Sequence, residues 1–468
     1  MSAKKAVEAL LQFGLHHGLI ESWDVVQVRN ELFELLRYEA QDIEESFFGI
    51  KESEAPETAT EILTALSDDY VARGHMPEDT VNARDLLEAN IMGKLMPRQS
   101  EMLSRFYKAA SPEAATDDFY KLCRAANYIQ VDRIKKDMYW KAATEYGRLE
   151  LTINLSKPEK DPKDIEAARS LPASTYPKCL LCLENVGFAG NRAWPARQNL
   201  RVIPMTLDEG QWYFQYSPYA YYNEHCIVFS EHHKPMEIGE ATFRQLLGFV
   251  KAYPHYFLGS NADLPIVGGS ILSHEHFQGG RHVFAMNNAE SVEQYRHRQY
   301  PEIAIDLLKW PLSAIRLSAS ISKEEGLIKL ASDILAAWRG YSEGDIIASS
   351  ENVPHNTITP IARVKNGRYE LDLVLRNNRR SDEHPLGIFH PHEEWHHVKK
   401  ENIGLIEVMG LAVLPGRLKA ELEAGKLSQE EITRIYVEVL KDCGVFKDNP
   451  EGWERFGRFM ASIGAETR

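Results

Sequence analysis

Cysteine is scarce: Cys123, Cys179, Cys182, Cys226 and Cys443 are the five among 468 residues, an odd set without the spacing of a disulfide framework. That excludes a stapled secreted scaffold and suits a reducing cytoplasm. No apolar run is long enough to cross a bilayer. The opening residues, Met1-Ser2-Ala3-Lys4-Lys5-Ala6-Val7-Glu8, lead into an amphipathic pattern broken by charge, not into the h-region and cleavage site of a secretory signal, so no membrane partner is expected. Positive charge is in deficit as well. A formal net charge of -14 argues against a broad nucleic-acid or anionic-membrane surface and leaves room for a small basic pocket taking one phosphorylated ligand. What the chain has is ordinary globular material, 44% hydrophobic and long enough for two or three domains with buried cores.

From Lys4 to about Tyr146 the pattern predicts helices almost throughout. Val25, Val26, Val28, Leu32, Leu35 and Leu36 mark one apolar stripe, and Ile62, Leu63, Leu66 and Tyr70 another. Ser111-Pro112-Glu113 reads as an N-cap with proline in the first turn, opening a helix that carries Phe119, Leu122 and Cys123 inward. This region holds no catalytic constellation, so packing or assembly is its expected role. The period changes to two at Arg148, where Leu149, Leu151, Ile153 and Leu155 predict a half-buried strand before a Lys/Pro/Asp-rich link over 156–163. Further strands are expected over 200–207, 212–216 and 225–229, the first two joined by Asp208-Glu209-Gly210, and a helix over 242–253. After Asn287 the expectation is a surface helix, a strand over 314–319 and a helix over 323–338. A hairpin then turns at Asn366-Gly367, followed by a strand-like run over 403–414 and a helix over 428–442. Hairpin, crossover helix and His-x-His each occur twice, which suggests an imperfect internal duplication.

The chemistry centres on Gly268-Gly269-Ser270-Ile271-Leu272-Ser273-His274-Glu275-His276-Phe277-Gln278-Gly279-Gly280. If 273–278 is extended, His274, His276 and Gln278 share one face and Glu275 and Phe277 the other, so two imidazoles and an amide meet one ligand. Flanking glycines let the backbone approach a phosphate. A phosphorus electrophile needs an imidazole nitrogen in line with the leaving group and donors on the non-bridging oxygens; His276 suits the first role and Gln278 the second. A strand with buried, hydrogen-bonded histidines would leave the same pattern. Cys179-Leu180-Leu181-Cys182 is a knuckle whose thiolates can reach one metal, completed by a histidine after the 225–229 strand and one from the central stretch. A redox pair is the alternative, although no thioredoxin-like context surrounds it. His355, His390 and His392 could form a second metal site with a carboxylate, but a solvated cluster including Glu393, Glu394, His396 and His397 would look the same.

In combination these motifs resemble the active-site segment of galactose-1-phosphate uridylyltransferases, members of the histidine-triad superfamily. Phe214-Gln215-Tyr216-Ser217-Pro218-Tyr219 and Asn223-Glu224-His225-Cys226 are similar to the second, bacterial type of that family. The resemblance implies an α+β fold of two related histidine-triad-like halves, each an antiparallel sheet with helices. These would occupy 147–320 and 321–468 behind a helical N-terminal region over 1–146. It also implies ping-pong transfer of UMP from UDP-glucose to galactose 1-phosphate through a uridylyl-histidine. His276 would be the nucleophile, Gln278 would hydrogen-bond the phosphoryl oxygens, and Asn261, Gly269 and Ser270 would lie at the phosphates. Cys179, Cys182, His233 and His274 match the family's zinc ligands, with His232 a rival for the third place. His355, His390 and His392 resemble its second metal site, which would hold iron or zinc, and a homodimer is implied. Glu275 stands where the better-known type has proline, and the spacing from Gly269 to His274 differs, which bears on the phosphate contacts and zinc geometry. Rival expectations are another acceptor such as an N-acetylhexosamine 1-phosphate, a nucleotide hydrolase of the same superfamily, and a non-catalytic zinc module.

Overall fold

A computed structural model describes residues 3–39, 55–155, 176–269 and 271–468. The link expected over 156–163 and the candidate Ser270 lie outside the described residues. The chain divides into two compact units, the first formed by described residues of 1–136, 156–204 and 213–220, the second by 137–155, 205–212 and 221–468.

The first unit is helical: α1 (Ala3–His16), α2 (Val25–Leu36), α3 (Thr60–Ala72), α4 (Val81–Leu95), α5 (Gln99–Tyr107) and α6 (Pro112–Ala125). Ser111 Oγ accepts from Ala114 N at 3.1 Å ahead of Pro112, so the expected cap forms and Phe119, Leu122 and Cys123 turn inward. The stripe of α2 is narrower than expected. Val28, Leu32 and Leu36 are buried, whereas Val26 is 63% exposed, because only one side of the helix meets α1 and α4.

The described residues form three sheets, most of whose strands belong to the second unit. β1 (Met138–Thr144), β2 (Gly147–Ile153) and β15 (Leu411–Leu414) form a three-stranded one, and β11 (Ser349–Ser350) pairs with β12 (Val353–Pro354). The large sheet has eleven strands in the order β16-β8-β9-β10-β14-β13-β6-β7-β5-β4-β3. Its strands are β3 (Ile203–Leu207), β4 (Gly210–Tyr216), β5 (Cys226–Ser230), β6 (Phe257–Gly259), β7 (His276–Gly280), β8 (Ser291–His297), β9 (Ala304–Leu308), β10 (Ala314–Ser320), β13 (Asn356–Lys365), β14 (Arg368–Asn377) and β16 (Ala465–Thr467). The duplication is visible in this order. A strand pair, a strand, a helix and a second strand pair occur as β3/β4, β5, α7 (Glu240–Ala252) and β6/β7, then again as β8/β9, β10, α8 (Glu324–Gly340) and β13/β14. The two series meet in mirrored order where β6 pairs antiparallel with β13.

Alternation sorts the sheet's side chains. Ile315, Leu317, Leu371, Leu373 and Leu375 are buried on one face, toward α7 and α8. Phe257, Ile361, Val374 and Ala314 point to the other face and join a core with Leu149, Leu151, Trp310, Leu405 and Tyr436, the last two from α9 (Leu405–Val408) and α10 (Gln429–Cys443). Asn366 and Gly367 both take positive φ, 52° and 73°, the primed-turn geometry that an Asn-Gly hairpin favours.

Three expectations are corrected. The helical pattern stops before Tyr146: Met138–Thr144 is a strand, held in full register by β2 despite the helix-favouring Met, Lys and Ala in it. No surface helix follows Asn287. The polar run Ser291–His297 is β8, paired with β9, with Tyr295 its one fully buried residue, and a strand this polar carries no alternation to read. The run over 403–414 splits into α9 and β15, because Glu407 accepts from Gly404 N at 3.2 Å and closes a helical turn; a continuous apolar run does not reveal its own period. Among the described residues, no helix is long and apolar enough to cross a membrane.

Candidate active site

β7 lies between β5 and β6, with Phe229 opposite His276 and Gly259 opposite Gln278. Its alternation turns His276 and Gln278 to one face. Phe277 turns to the other and stacks on Trp212, ring centroids 4.8 Å apart. A Cβ on Gly279 would stand 2.5 Å from Phe257 O, so the strands close here only around glycine. His274 does not belong to the strand: extended structure begins at His276, and the expected shared face reduces to His276 and Gln278.

His276 is 5% exposed, and its Nδ1 lies 2.8 Å from His274 O. A carbonyl only accepts, so Nδ1 carries the proton and the lone pair is on Nε2. Burial lowers its pKa to about 4, with the His274 carbonyl opposing that shift, so the ring is neutral at neutral pH. Gln278 is half-buried, and its Oε1 is a buried atom without a hydrogen-bond partner. The adjoining loop supplies Asn261, buried, whose Oδ1 accepts from Leu405 N at 2.9 Å. A Cβ on Gly269 would stand 2.8 Å from Asn261 Nδ2, so these two candidates are in contact.

His274 has the opposite tautomer. Its Nε2 lies 2.9 Å from Ser230 O, so Nε2 carries the proton and Nδ1 the lone pair. One ligand atom from each of Cys179, Cys182, His233 and His274 lies within 4.8 Å of the others, a group able to hold a metal ion. The thiols of Cys179 and Cys182 are 3.5 Å apart. Burial pushes Cys179 up to about 11, opposed by the Leu181 N–H and reinforced by the Cys182 thiol. Asn185 Nδ2 donates to both Cys179 O and Cys182 O, at 2.8 Å each, and so fixes the knuckle. His232 is outside the group, its side chain 82% exposed.

The other histidines do not form a comparable group among the described residues. His355 Nδ1 and Nε2 contact Asn378 Oδ1 at 2.8 Å and Ser350 Oγ at 2.6 Å. His390 contacts Pro391 O and Asn402 Oδ1, both at 3.3 Å. His392 faces Asp442 Oδ1 at 3.3 Å and Ile388 O at 3.1 Å. Sequence reasoning missed Asn185 and the Ser230 carbonyl. Asn185 stands three residues after the knuckle, a polar signal that was readable, whereas a backbone carbonyl leaves no signal.

Comparison with known proteins places the chain in a defined context. A family profile described as galactose-1-phosphate uridyl transferase, N-terminal domain, matches residues 33–235, and its C-terminal counterpart matches 249–438. The galactose-1-phosphate uridylyltransferase of Caldanaerobacter subterraneus subsp. tengcongensis is 52% identical, over 98% of this chain and 97% of its own. Those of Clostridium acetobutylicum and Bacillus subtilis are 48% and 45% identical, over 97% and 100% of this chain and 98% and 99% of theirs. Among solved structures, the yeast Ap4A phosphorylase is similar at 12% identity and a TM-score of 0.41, over 74% of this chain and 97% of that one.

Proposed function

The chain belongs to the galactose-1-phosphate uridylyltransferase family, and on that premise we propose how its own residues carry the reaction. It transfers UMP from UDP-glucose to galactose 1-phosphate, giving UDP-galactose and glucose 1-phosphate. His276 Nε2 attacks the α-phosphorus of UDP-glucose; an N–P bond forms, the bond from that phosphorus to the bridging oxygen breaks, and glucose 1-phosphate leaves with the electron pair. A phosphate oxygen of galactose 1-phosphate then attacks the same phosphorus, the N–P bond breaks, and the imidazole is restored. The observation that carries this reading is the hydrogen bond from His276 Nδ1 to His274 O at 2.8 Å, which holds the ring as a neutral Nε2 nucleophile. Gln278, on the same strand face, supplies the amide that stabilises charge on the phosphoryl oxygens. Asn261 and Gly269, in mutual contact, would line the phosphates, and so would Ser270, the next residue in the sequence.

Zinc is the proposed occupant of Cys179, Cys182, His233 and His274. Two thiolates and two imidazoles would hold the ion, a donor set that suits a structural zinc, and the bound metal would contribute to folding. His274, held at such a site, would keep in place the carbonyl that orients His276. A second divalent metal, iron or zinc, at His355, His390 and His392 draws no support from the separate partners of those rings. The same reading divides the chain at 1–146, 147–320 and 321–468, with His276 in the first of the two later halves. Five cysteines, none of them in a disulfide among the described residues, support a cytoplasmic setting. A homodimer completes the reading and is checked by light scattering. Steady-state kinetics with varied UDP-glucose and galactose 1-phosphate test the scheme. Parallel double-reciprocal lines are expected, and intersecting lines would rule out the covalent route. Preferred turnover of an N-acetylhexosamine 1-phosphate would transfer the assignment to that acceptor.

A further inference from the structure

Arg376, on β14, is 1% exposed, yet it lacks the partners a buried guanidinium requires. Its Nη2 donates to Ile403 O at 2.9 Å, while Nε and Nη1 are buried without a hydrogen-bond partner. It enters no ion pair among the described residues. Glu407 acts on it only from a distance, because that carboxylate accepts from Lys399 Nζ at 2.9 Å and from Gly404 N at 3.2 Å. The surroundings add positive charge. Lys447, which like Arg376 acts on the Cys443 thiol, is half-buried and donates to carbonyls, Lys441 O at 3.1 Å and Asp442 O at 2.9 Å, while the Asp442 carboxylate is engaged by His392. The Cys443 thiol supplies no counter-charge, since burial pushes it up to about 12.

A second unpartnered group shares the place. Thr359, on β13, is fully buried, and its Oγ1 has no hydrogen-bond partner. Arg376 is opposite Thr357, so Thr359 is its diagonal neighbour on the same sheet face. Tracing the register from Arg376 through Ile361 and Gly259 to Gln278 shows that this is also the face of His276 and Gln278. A guanidinium does not shed its proton, and an unpaired buried charge is among the costliest features a fold can carry.

We propose that Arg376 Nε and Nη1, with Thr359 Oγ1, hold a small monovalent anion of halide size. All three are donors to an anion, and their enclosure excludes a nucleotide or a sugar phosphate. The anion also bears on the active site. Ile403, which takes the remaining Arg376 bond, is two residues from Leu405, whose N–H is held by Asn261 Oδ1 at 2.9 Å. Arg376, its anion and Asn261 thus secure one segment.

The test compares thermal midpoints of the full chain in sodium chloride and in sodium gluconate at matched ionic strength, for the native protein, Arg376→Met and Thr359→Val. The native midpoint should rise by a few degrees across a hundredfold range of chloride and not of gluconate, because a ligand bound only by the folded state stabilises it. The chloride response should vanish in Arg376→Met and weaken in Thr359→Val. Equal responses in native protein and Arg376→Met, or no response in either, would overturn the proposal. Should Arg376→Met fail to fold, bromide-soaked crystals of the native protein decide: an anomalous peak within hydrogen-bond reach of the guanidinium is expected, and its absence overturns the site.

Discussion

In the proposed reaction the tautomer of His276 determines which nitrogen attacks phosphorus, and a single backbone carbonyl sets it. The neighbouring histidine is held the opposite way round, Nε2 to Ser230 O, so consecutive imidazoles of one His-x-His offer different nitrogens to different tasks. Gln278→Leu should lower kcat for uridylyl transfer by roughly a hundredfold, the scale of losing one preorganised donor, with a smaller change in KM for UDP-glucose. Steady-state kinetics check this, and an unchanged kcat would remove Gln278 from the transition state. Cys182→Ala should release the metal and lower the thermal midpoint. Metal analysis showing one zinc per chain in the native protein and none in the variant is the expected result, and zinc retained by the variant contradicts the ligand set. The candidate residues were legible because His-x-His and Cys-x-x-Cys are spacings with chemical meaning. The Ser230 carbonyl was not, since its importance comes from what the folded chain brings beside it.

At the level of elements, β10, β13 and β14 are tied across one face by buried ion pairs. Asp372 accepts from Arg316 Nε at 2.7 Å and from Arg363 Nη2 at 2.6 Å, and Arg363 also reaches Glu370 at 2.7 Å. The two guanidinium groups hold the Asp372 carboxyl below the ordinary carboxylate range although burial pushes it up. Asp372→Ala leaves both cations under-compensated and should cost about 3–5 kcal/mol of stability, read by denaturant unfolding. Glu150 on β2 gives a pH dependence. Burial pushes its carboxyl up, but donors from His282 at 3.0 Å, Tyr139 at 2.8 Å and Lys141 at 3.1 Å outweigh it and bring the pKa to about 2. A depressed carboxyl stabilises the fold fully above its unfolded value, and that stability drains away as pH falls toward the folded one. Glu150→Gln should therefore be less stable than native at neutral pH and show a flatter loss between about pH 5 and pH 3 in urea midpoints. A parallel acid limb in the two proteins would contradict the assignment. The helices were legible from caps and periodicity. β1 and β8 were not, because their sequences favour strand only once β2 and β9 lie beside them.

On the scale of the molecule, the repeated strand pair, strand, helix and strand pair build one sheet of two mirrored halves that carry different side chains. β7 and β14 occupy corresponding places in the mirrored order. The first carries His276 and Gln278, whereas the second carries Glu370, Asp372, Val374 and Arg376 on the same face. Duplication of hairpin and crossover helix was legible in the sequence. The second His-x-His, His390 and His392, lies beyond β14 and is not the counterpart of the first, a difference that spacing along the chain does not disclose. Covalent uridylylation of His276 is the claim on which the proposed reaction rests. The most direct measurement is the intact mass of the purified protein after brief incubation with UDP-glucose alone, beside His276→Ala of matching circular dichroism. A gain of one uridylyl group in the native protein and none in the variant is the predicted result. An unmodified native protein that releases free UMP would contradict it and point to hydrolysis, and an equal mass gain in His276→Ala would move the nucleophile elsewhere.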